Sequence, residues 1–224
     1  MPVFQLGKEP IFPHTELAEE SGLLAIGGDL TTERLVQAYA HGIFPWYSEG
    51  EPVMWWSPDP RMVLYLNQFK VSKSLKQLLR NNTFRVEFDT NFRLVIESCA
   101  QVPRAGQKGT WITQDMKNAY IDLHASGYAH SVEVYEQHQL VGGLYGVNLG
   151  KTFFGESMFH KKKDASKVAL FHLVERLKKW KFLFIDAQIE TAHLKSFGAT
   201  NIARSDFIEQ LRDALHASTR KGKW

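Results

Sequence analysis

The chain is poor in cysteine: Cys99 is the single one among 224 residues. A lone thiol excludes an intramolecular disulfide framework and fits a reducing compartment. It also excludes a CxxC zinc site, and the nine histidines show neither HExxH nor another paired metal spacing. Long apolar runs are missing as well. No stretch approaches the ~20 residues that a membrane span requires, and Met1-Pro2-Val3-Phe4-Gln5 lacks the charged and apolar regions of a secretory signal. A cytoplasmic protein without membrane contact is therefore expected. There is no GxSxG elbow for a serine nucleophile, no phosphate loop with its Lys-Ser/Thr, no internal repeat and no low-complexity tract.

What is present is an uneven charge. The net charge is +3, yet residues 1–60 hold two basic and nine acidic residues, a net of −7, while residues 151–181 hold nine basic and three acidic, a net of +6. Such a basic segment is either a solvated helix face or the footprint of a polyanion. Six Trp and fifteen Phe supply core and, where they sit beside Pro or Gly in loops, stacking surfaces.

The first sixty residues read as irregular, punctuated at Phe12-Pro13, Gly27-Gly28-Asp29, Phe44-Pro45 and Ser57-Pro58-Asp59-Pro60. One helix interrupts them, capped by Thr31 or Thr32, with Leu35, Ala38 and Tyr39 as its apolar stripe and Gly42 as its stop. The prolines put a domain boundary near residue 62, giving a small domain at 1–62 and a larger one at 63–224. In the second, 72–80 reads as a helix with Lys73, Lys76 and Arg80 on one side, 84–88 as a strand, and Phe92 to Cys99 as a helix. Thr113 caps a helix that stops at Gly127. Strands are expected over 130–136, 140–149 and 151–158, a long helix capped by Asp164 and running to about Trp180, and a strand over 181–188. A short helix over 191–197 and a last one capped by Ser205 complete the chain. Helices mixed with a β meander give an α/β (α+β) fold with a mixed sheet.

Three polar residues interrupt apolar strands. In Phe182 to Gln188, the two-residue alternation turns Asp186 and Gln188 to one face. They either satisfy nearby backbone or present a carboxylate and an amide at a pocket floor. Glu156 follows Gly155 and is either a strand-end charge or, beside Asp186 in space, a second acid in such a pocket. Leu144 and Phe153 line an apolar slot or are plain core. Trp46 and Trp111 are stacking platforms or domain glue. Gly142-Gly143 fits a bulged central strand.

Together these segments resemble the leucyl/phenylalanyl-tRNA–protein transferases. The likeness is carried by Gly22 to Leu30, Gly42-Ile43-Phe44-Pro45-Trp46, Trp55 to Arg61, Gly109-Thr110-Trp111-Ile112, Ala129 to Val134, Leu140 to Gly146, Gly155 to Phe159, Ala165-Ser166-Lys167, Ile185 to Gln188 and His193 to Ala199. It departs at Asp164, Ala187 and Phe197, where Asn, Cys and Leu are usual, and Leu144 stands where some members carry Met. The resemblance implies a GCN5-related N-acetyltransferase-like C-terminal domain. It also implies transfer of Leu or Phe, and more weakly Met, from aminoacyl-tRNA to proteins beginning with Arg or Lys, marking them for degradation. By the same resemblance Trp46 and Trp111 hold the terminal adenosine. Leu144, Phe153 and Leu170 line the side-chain pocket, and Glu156, Asp186 and Gln188 are the catalytic groups. No metal, nucleotide triphosphate, CoA or other cofactor is implied, and a monomer is expected. Gln188 is expected to aim the attacking amine. Asp186 is expected to orient Gln188 and, with Glu156, to hold the acceptor's cationic side chain. Lys73, Lys76, Arg80, Lys161, Lys162 and Lys163 are expected to meet tRNA phosphates.

Two other readings fit parts of the pattern. A CoA-dependent N-acetyltransferase would need a glycine-rich pyrophosphate turn before the long helix, where this chain has His160 to Lys167. A non-catalytic RNA-binding module would bind tRNA irrespective of its aminoacylation.

Overall fold

The protein is described here by a computed structural model covering residues 3–102 and 110–224. Met1, Pro2 and Gly109 therefore lie outside the described residues. Two sheets organise the chain. The first uses four short strands, β1 (Phe4–Leu6), β2 (Leu23–Gly27), β3 (Phe44–Pro45) and β4 (Met54–Trp56), in the order β1-β2-β4-β3. The irregular reading of this region is thus corrected. Strands of two to five residues are too short for alternation to register against the surrounding turns.

The second sheet has seven strands: β5 (Arg61–Tyr65), β6 (Arg85–Phe88), β7 (Ala129–Glu136), β8 (Gln139–Leu149), β9 (Thr152–His160), β10 (Phe184–Gln188) and β11 (Thr200–Ile202). Their order is β11-β5-β10-β9-β8-β7-β6. Every neighbouring pair is antiparallel except β10 with β9, so the sheet is mixed. The fold class is α/β (α+β).

Helix starts follow local chemistry. Thr31, Ser72, Asn91 and Thr113 accept backbone N–H groups at the starts of α1 (Thr32–Ala40), α2 (Lys73–Arg80), α3 (Phe92–Ala100) and α4 (Gln114–Ala125). Two expected caps fail. Asp164 occupies the N-cap of α5 (Ala165–Lys179) in a left-handed conformation, φ 66°, and its carboxylate meets Lys167 at 2.6 Å. Ser205 lies inside α7 (Arg204–Leu215), whose first free amide, that of Arg204, is taken by Asp59 Oδ1 at 3.1 Å. The short α6 (Ala192–Ser196) is capped by Thr191.

The long strand β8 is buried along all but its first residue, as befits a strand covered on both faces. On one face α5 and α2 pack with Leu64, Leu144, Phe153 and Ile185. On the other, α1, α3, α4 and α7 pack with Phe154, Phe159 and Phe184. Leu24, Leu35, Tyr39 and Trp55 from the N-terminal region belong to that second core, so the small sheet and the large one share hydrophobic interior. Gly142 and Gly146 permit the close layering. A Cβ on Gly142 would lie 2.5 Å from Ala165, and one on Gly146 would lie 2.5 Å from the Phe153 ring.

Candidate active site

The site arises where the one parallel pair of the seven-stranded sheet comes apart. β9 and β10 are paired through Phe154 and Asp186 and no further. Beyond that point β9 stays with β8 and β10 with β5, and a cleft opens between them. Both strands carry an extra residue at the opening. Tyr145 faces Ser157 and Gly146 faces Gly155, so Glu156 is the unpaired residue of a bulge. Its effect is visible in the cores: Phe153 and Met158, five apart, pack on one face, and Phe154 and Phe159 on the other. In β10, Asp186 faces Val63 and Gln188 faces Met62, which leaves Ala187 as the extra residue, and Gln188 has φ 57°.

Glu156 sits in a nest of phenols. Tyr39 O–H donates to Oε1 at 2.7 Å and Tyr120 O–H to Oε2 at 3.1 Å. The two hydroxyls also contact each other, and both rings are fully buried. Burial and the nearby carboxylate push both phenols well above 10, which keeps them as donors. Burial pushes the Glu156 carboxyl up to about 7, against the phenol hydrogen bonds that favour its charged form. Gln188 Nε2 points at Glu156 Oε1 from 3.5 Å, leaving its carbonyl oxygen to accept from elsewhere.

Asp186 is placed differently from the sequence expectation. The alternation that would turn it and Gln188 to one face is broken by the bulge at Ala187. Its carboxylate is fully buried and receives Arg61 Nε at 2.8 Å and Arg61 Nη2 at 2.7 Å, a bidentate pair. Arg61 also donates to Gly42 O at 3.0 Å and lies between the rings of Phe44 and Phe207. This carboxylate is fully buried and is not among the residues lining the neighbouring cavity, so the expectation that it grips an acceptor's cationic side chain is corrected. It does accept the backbone N–H of Gln188 at 3.0 Å, which fixes the turn that presents Gln188.

Over the opening lies a cavity of about 470 Å³. Leu64, Leu144, Phe153, Leu170, Leu173 and Ile185 form its apolar part, and Glu156 and Gln188 its polar edge. Trp46 and Trp111 stand in its wall, the former packed edge-on against Trp56, whose Nε1 donates to Trp46 O at 2.7 Å. His193 forms part of the rim; burial and the nearby Lys167 charge lower its pKa. Among the described residues no cluster of three or more His, Cys, Asp or Glu is arranged to hold a metal.

A family model described as Leucyl/phenylalanyl-tRNA protein transferase matches residues 63–212, and the model of that family's N-terminal domain matches residues 28–59. The chain belongs to this family. It is therefore an aminoacyltransferase. A relative from Myxococcus xanthus named leucyl/phenylalanyl-tRNA–protein transferase is 52% identical over 226 residues, spanning 100% of this chain and 97% of the relative. A namesake from Syntrophobacter fumaroxidans is 53% identical over 227 residues, with the same coverage of both chains. Among solved structures, an aminoglycoside acetyltransferase from a soil metagenome aligns with a TM-score of 0.39 and 12% identity, over 59% of this chain and 89% of that one.

Of the residues singled out in the sequence of this transferase, Trp46, Trp111, Leu144, Phe153, Leu170, Glu156 and Gln188 share the cavity, and Asp186 stands behind it. Lys73, Lys76 and Arg80 are exposed on α2, and Lys161, Lys162 and Lys163 are exposed between β9 and α5. α2 packs on α5, so both groups border the same helix. Lys162 is already paired with Glu136. Sequence reasoning missed Arg61, Tyr39 and Tyr120. The phenols had a signal: a tyrosine within a buried helical stripe needs a polar partner for its hydroxyl.

Proposed function

We propose that this enzyme takes a leucyl or phenylalanyl group, and more weakly methionyl, from its charged tRNA. It transfers that group to the α-amine of proteins beginning with Arg or Lys, marking them for degradation in the cytoplasm. One observation carries the reading: indole rings, an apolar recess and a Glu156–Gln188 polar edge meet in a single cavity of a size suited to a small organic group. The terminal adenosine stacks against Trp46 and Trp111, and the aminoacyl side chain enters the recess lined by Leu144, Phe153 and Leu170. In this reading residues 1–62 are a small domain that brings Trp46 and Tyr39 to a catalytic domain at 63–224.

The donor ester is already activated, so positioning and proton handling are the work left to the protein. The attacking amine must be neutral. Gln188 accepts a hydrogen bond from it through its side-chain carbonyl and aims the nitrogen at the ester carbon. Asp186 acts from behind, holding the Gln188 backbone. Glu156, poised near neutrality, accepts the proton released as the C–N bond forms, and that proton passes on to the ribose oxygen as the C–O bond breaks, returning Glu156 to its starting state. The acceptor's cationic side chain lies toward Glu156. Lys73, Lys76, Arg80, Lys161 and Lys163 meet phosphates of the tRNA.

The direct test is incubation with radiolabelled Leu-tRNA and two versions of one protein, beginning with Arg or with Gly. Label is expected in the Arg-starting version. Absence of label from both, with intact donor, overturns the reading.

A further inference from the structure

The last residues form a strap that ends against the back of the cavity. Gly150 N–H donates to Thr219 Oγ1 at 3.0 Å, Asn148 Nδ2 to Arg220 O at 2.8 Å, and the Lys221 ammonium lies 4.1 Å from the centre of the Tyr128 ring. Gly127 lets the strap pass: a Cβ there would be 2.6 Å from the Gly222 nitrogen. The strap ends at Trp224, whose backbone N–H donates to Asp89 Oδ2 at 2.8 Å. Its indole stacks on His130, with centroids 3.9 Å apart and planes at 14°. His130 is itself held by Asp89 Oδ2 at 2.8 Å. Trp180 and Phe182 meet the indole at steep angles, 83° and 79°. Fixed on these sides, the same indole touches Phe153, with centroids 5.7 Å apart. Phe153 lines the cavity; Trp224 is not among its described lining residues. Beneath the Phe153 ring is Gly146, which leaves no side chain there to brace it.

We propose that Trp224 is a positioning residue for acyl specificity: by backing Phe153 it sets the depth of the apolar recess. The indole fills space into which the Phe153 ring would otherwise retreat; it stacks on His130, and the Trp224 backbone N–H is held by Asp89, the partner of that histidine. Shrinking Trp224 deepens the recess and favours the larger acyl group. This rests on the reading that Phe153 lines the slot for the transferred side chain.

The experiment compares kcat/KM for Phe-tRNA and Leu-tRNA in the full chain and in Trp224→Ala, Trp224→Phe and Phe153→Ala, with Tm recorded for each. The Phe/Leu ratio is expected to rise roughly tenfold in Trp224→Ala, the low end of what a methylene of pocket fit is worth. It is expected to return close to the parent value in Trp224→Phe. If Trp224→Ala is not folded at the assay temperature, Trp224→Leu takes its place, with the same rise expected. An equal loss with both donors, or no change while Phe153→Ala shifts the ratio, overturns the role of Trp224 and leaves the slot reading standing. An unchanged ratio in Phe153→Ala as well overturns the slot reading and the proposal together.

Discussion

Replacing Asp186 by Ala separates a structural role from a catalytic one. The substitution leaves the Arg61 guanidinium fully buried, with Gly42 O as its remaining hydrogen-bond acceptor among the described residues and two aromatic rings on its flanks. Removing one member of a buried ion pair costs about 3–5 kcal/mol, because the surviving charge is stranded rather than because the pair was strong. For a chain of this length each kcal/mol lowers Tm by roughly 2–4 °C, so a fall of roughly 6–20 °C is expected. The same carboxylate also holds the Gln188 amide at 3.0 Å, so transfer should fall even at temperatures where the variant is folded. The double variant Arg61→Met, Asp186→Leu distinguishes the two effects. Two apolar side chains of similar volume remove the stranded charge, and such exchanges are often neutral or stabilising. Thermal melts should therefore show most of the lost Tm returning in the double variant. Transfer from Leu-tRNA should not return, because nothing then anchors the Gln188 turn. A single Asp186→Ala variant melting within about 2 °C of the parent would refute the stranded-charge account, since that shift corresponds to roughly 1 kcal/mol or less. A double variant with restored transfer would refute the positioning role.

Glu156 titrates at about 7 in the fold against a usual 4.5, so its protonated form favours the folded state. That contribution is complete below pH 4.5 and is lost as pH rises through 7. Glu156→Gln should therefore gain Tm relative to the parent over this window, as thermal melts at matched pH would show. Transfer by the parent should rise as pH climbs through 7, and the Gln variant should lose that limb of the pH–rate profile. Trp46→Ala or Trp111→Ala should raise KM for charged tRNA by ~5–150-fold, the equivalent of ~1–3 kcal/mol of base stacking, while Trp→Phe costs less. The joint replacement of Lys73, Lys76 and Arg80 by Ala should raise KM for charged tRNA and flatten its salt dependence. It should spare turnover of an aminoacyl-adenosine donor, and equal damage with both donors would make the stripe structural.

Much of the large sheet was legible because its strands are long enough for pattern to speak. β7, β8 and β9 run eight to eleven residues, and their ends lie within two residues of the expected ones. Helices α1 and α4 announce themselves through Thr31 and Thr113, whose hydroxyls have a defined task at a helix start. The N-terminal strands were illegible for the converse reason. β3 has two residues, and its place in a sheet is set by Phe44 and Pro45 pairing with Trp56 and Trp55, partners about ten residues away. Ser205 misled because a local cap signal competes with a distant one, and Asp59 supplied the acceptor.

The candidate site was legible in its membership but not in its geometry, and the two bulges explain why. Alternation places Asp186 and Gln188 on one face when every residue of β10 advances the strand by one step. Ala187 does not, so the carboxylate faces Arg61 and the amide faces the cavity. Glu156 is likewise an extra residue, which is how a strand flanked by Phe153, Phe154 and Phe159 turns one carboxyl toward two phenols. No run of three or four residues around Ala187 or Glu156 encodes these slips. They follow from register with β5 and β8; in the first case the partners, Val63 and Met62, lie more than a hundred positions before Asp186 and Gln188. A bulge interrupts the ladder hydrogen bonds at its own position and persists where the surrounding core holds the register on both sides. Here Phe153 and Met158 anchor one face of β9, and Phe154 and Phe159 the other. The apolar residues that look like plain core in the sequence are thus the ones that aim Glu156. Changes among them should alter transfer before they alter the fold class.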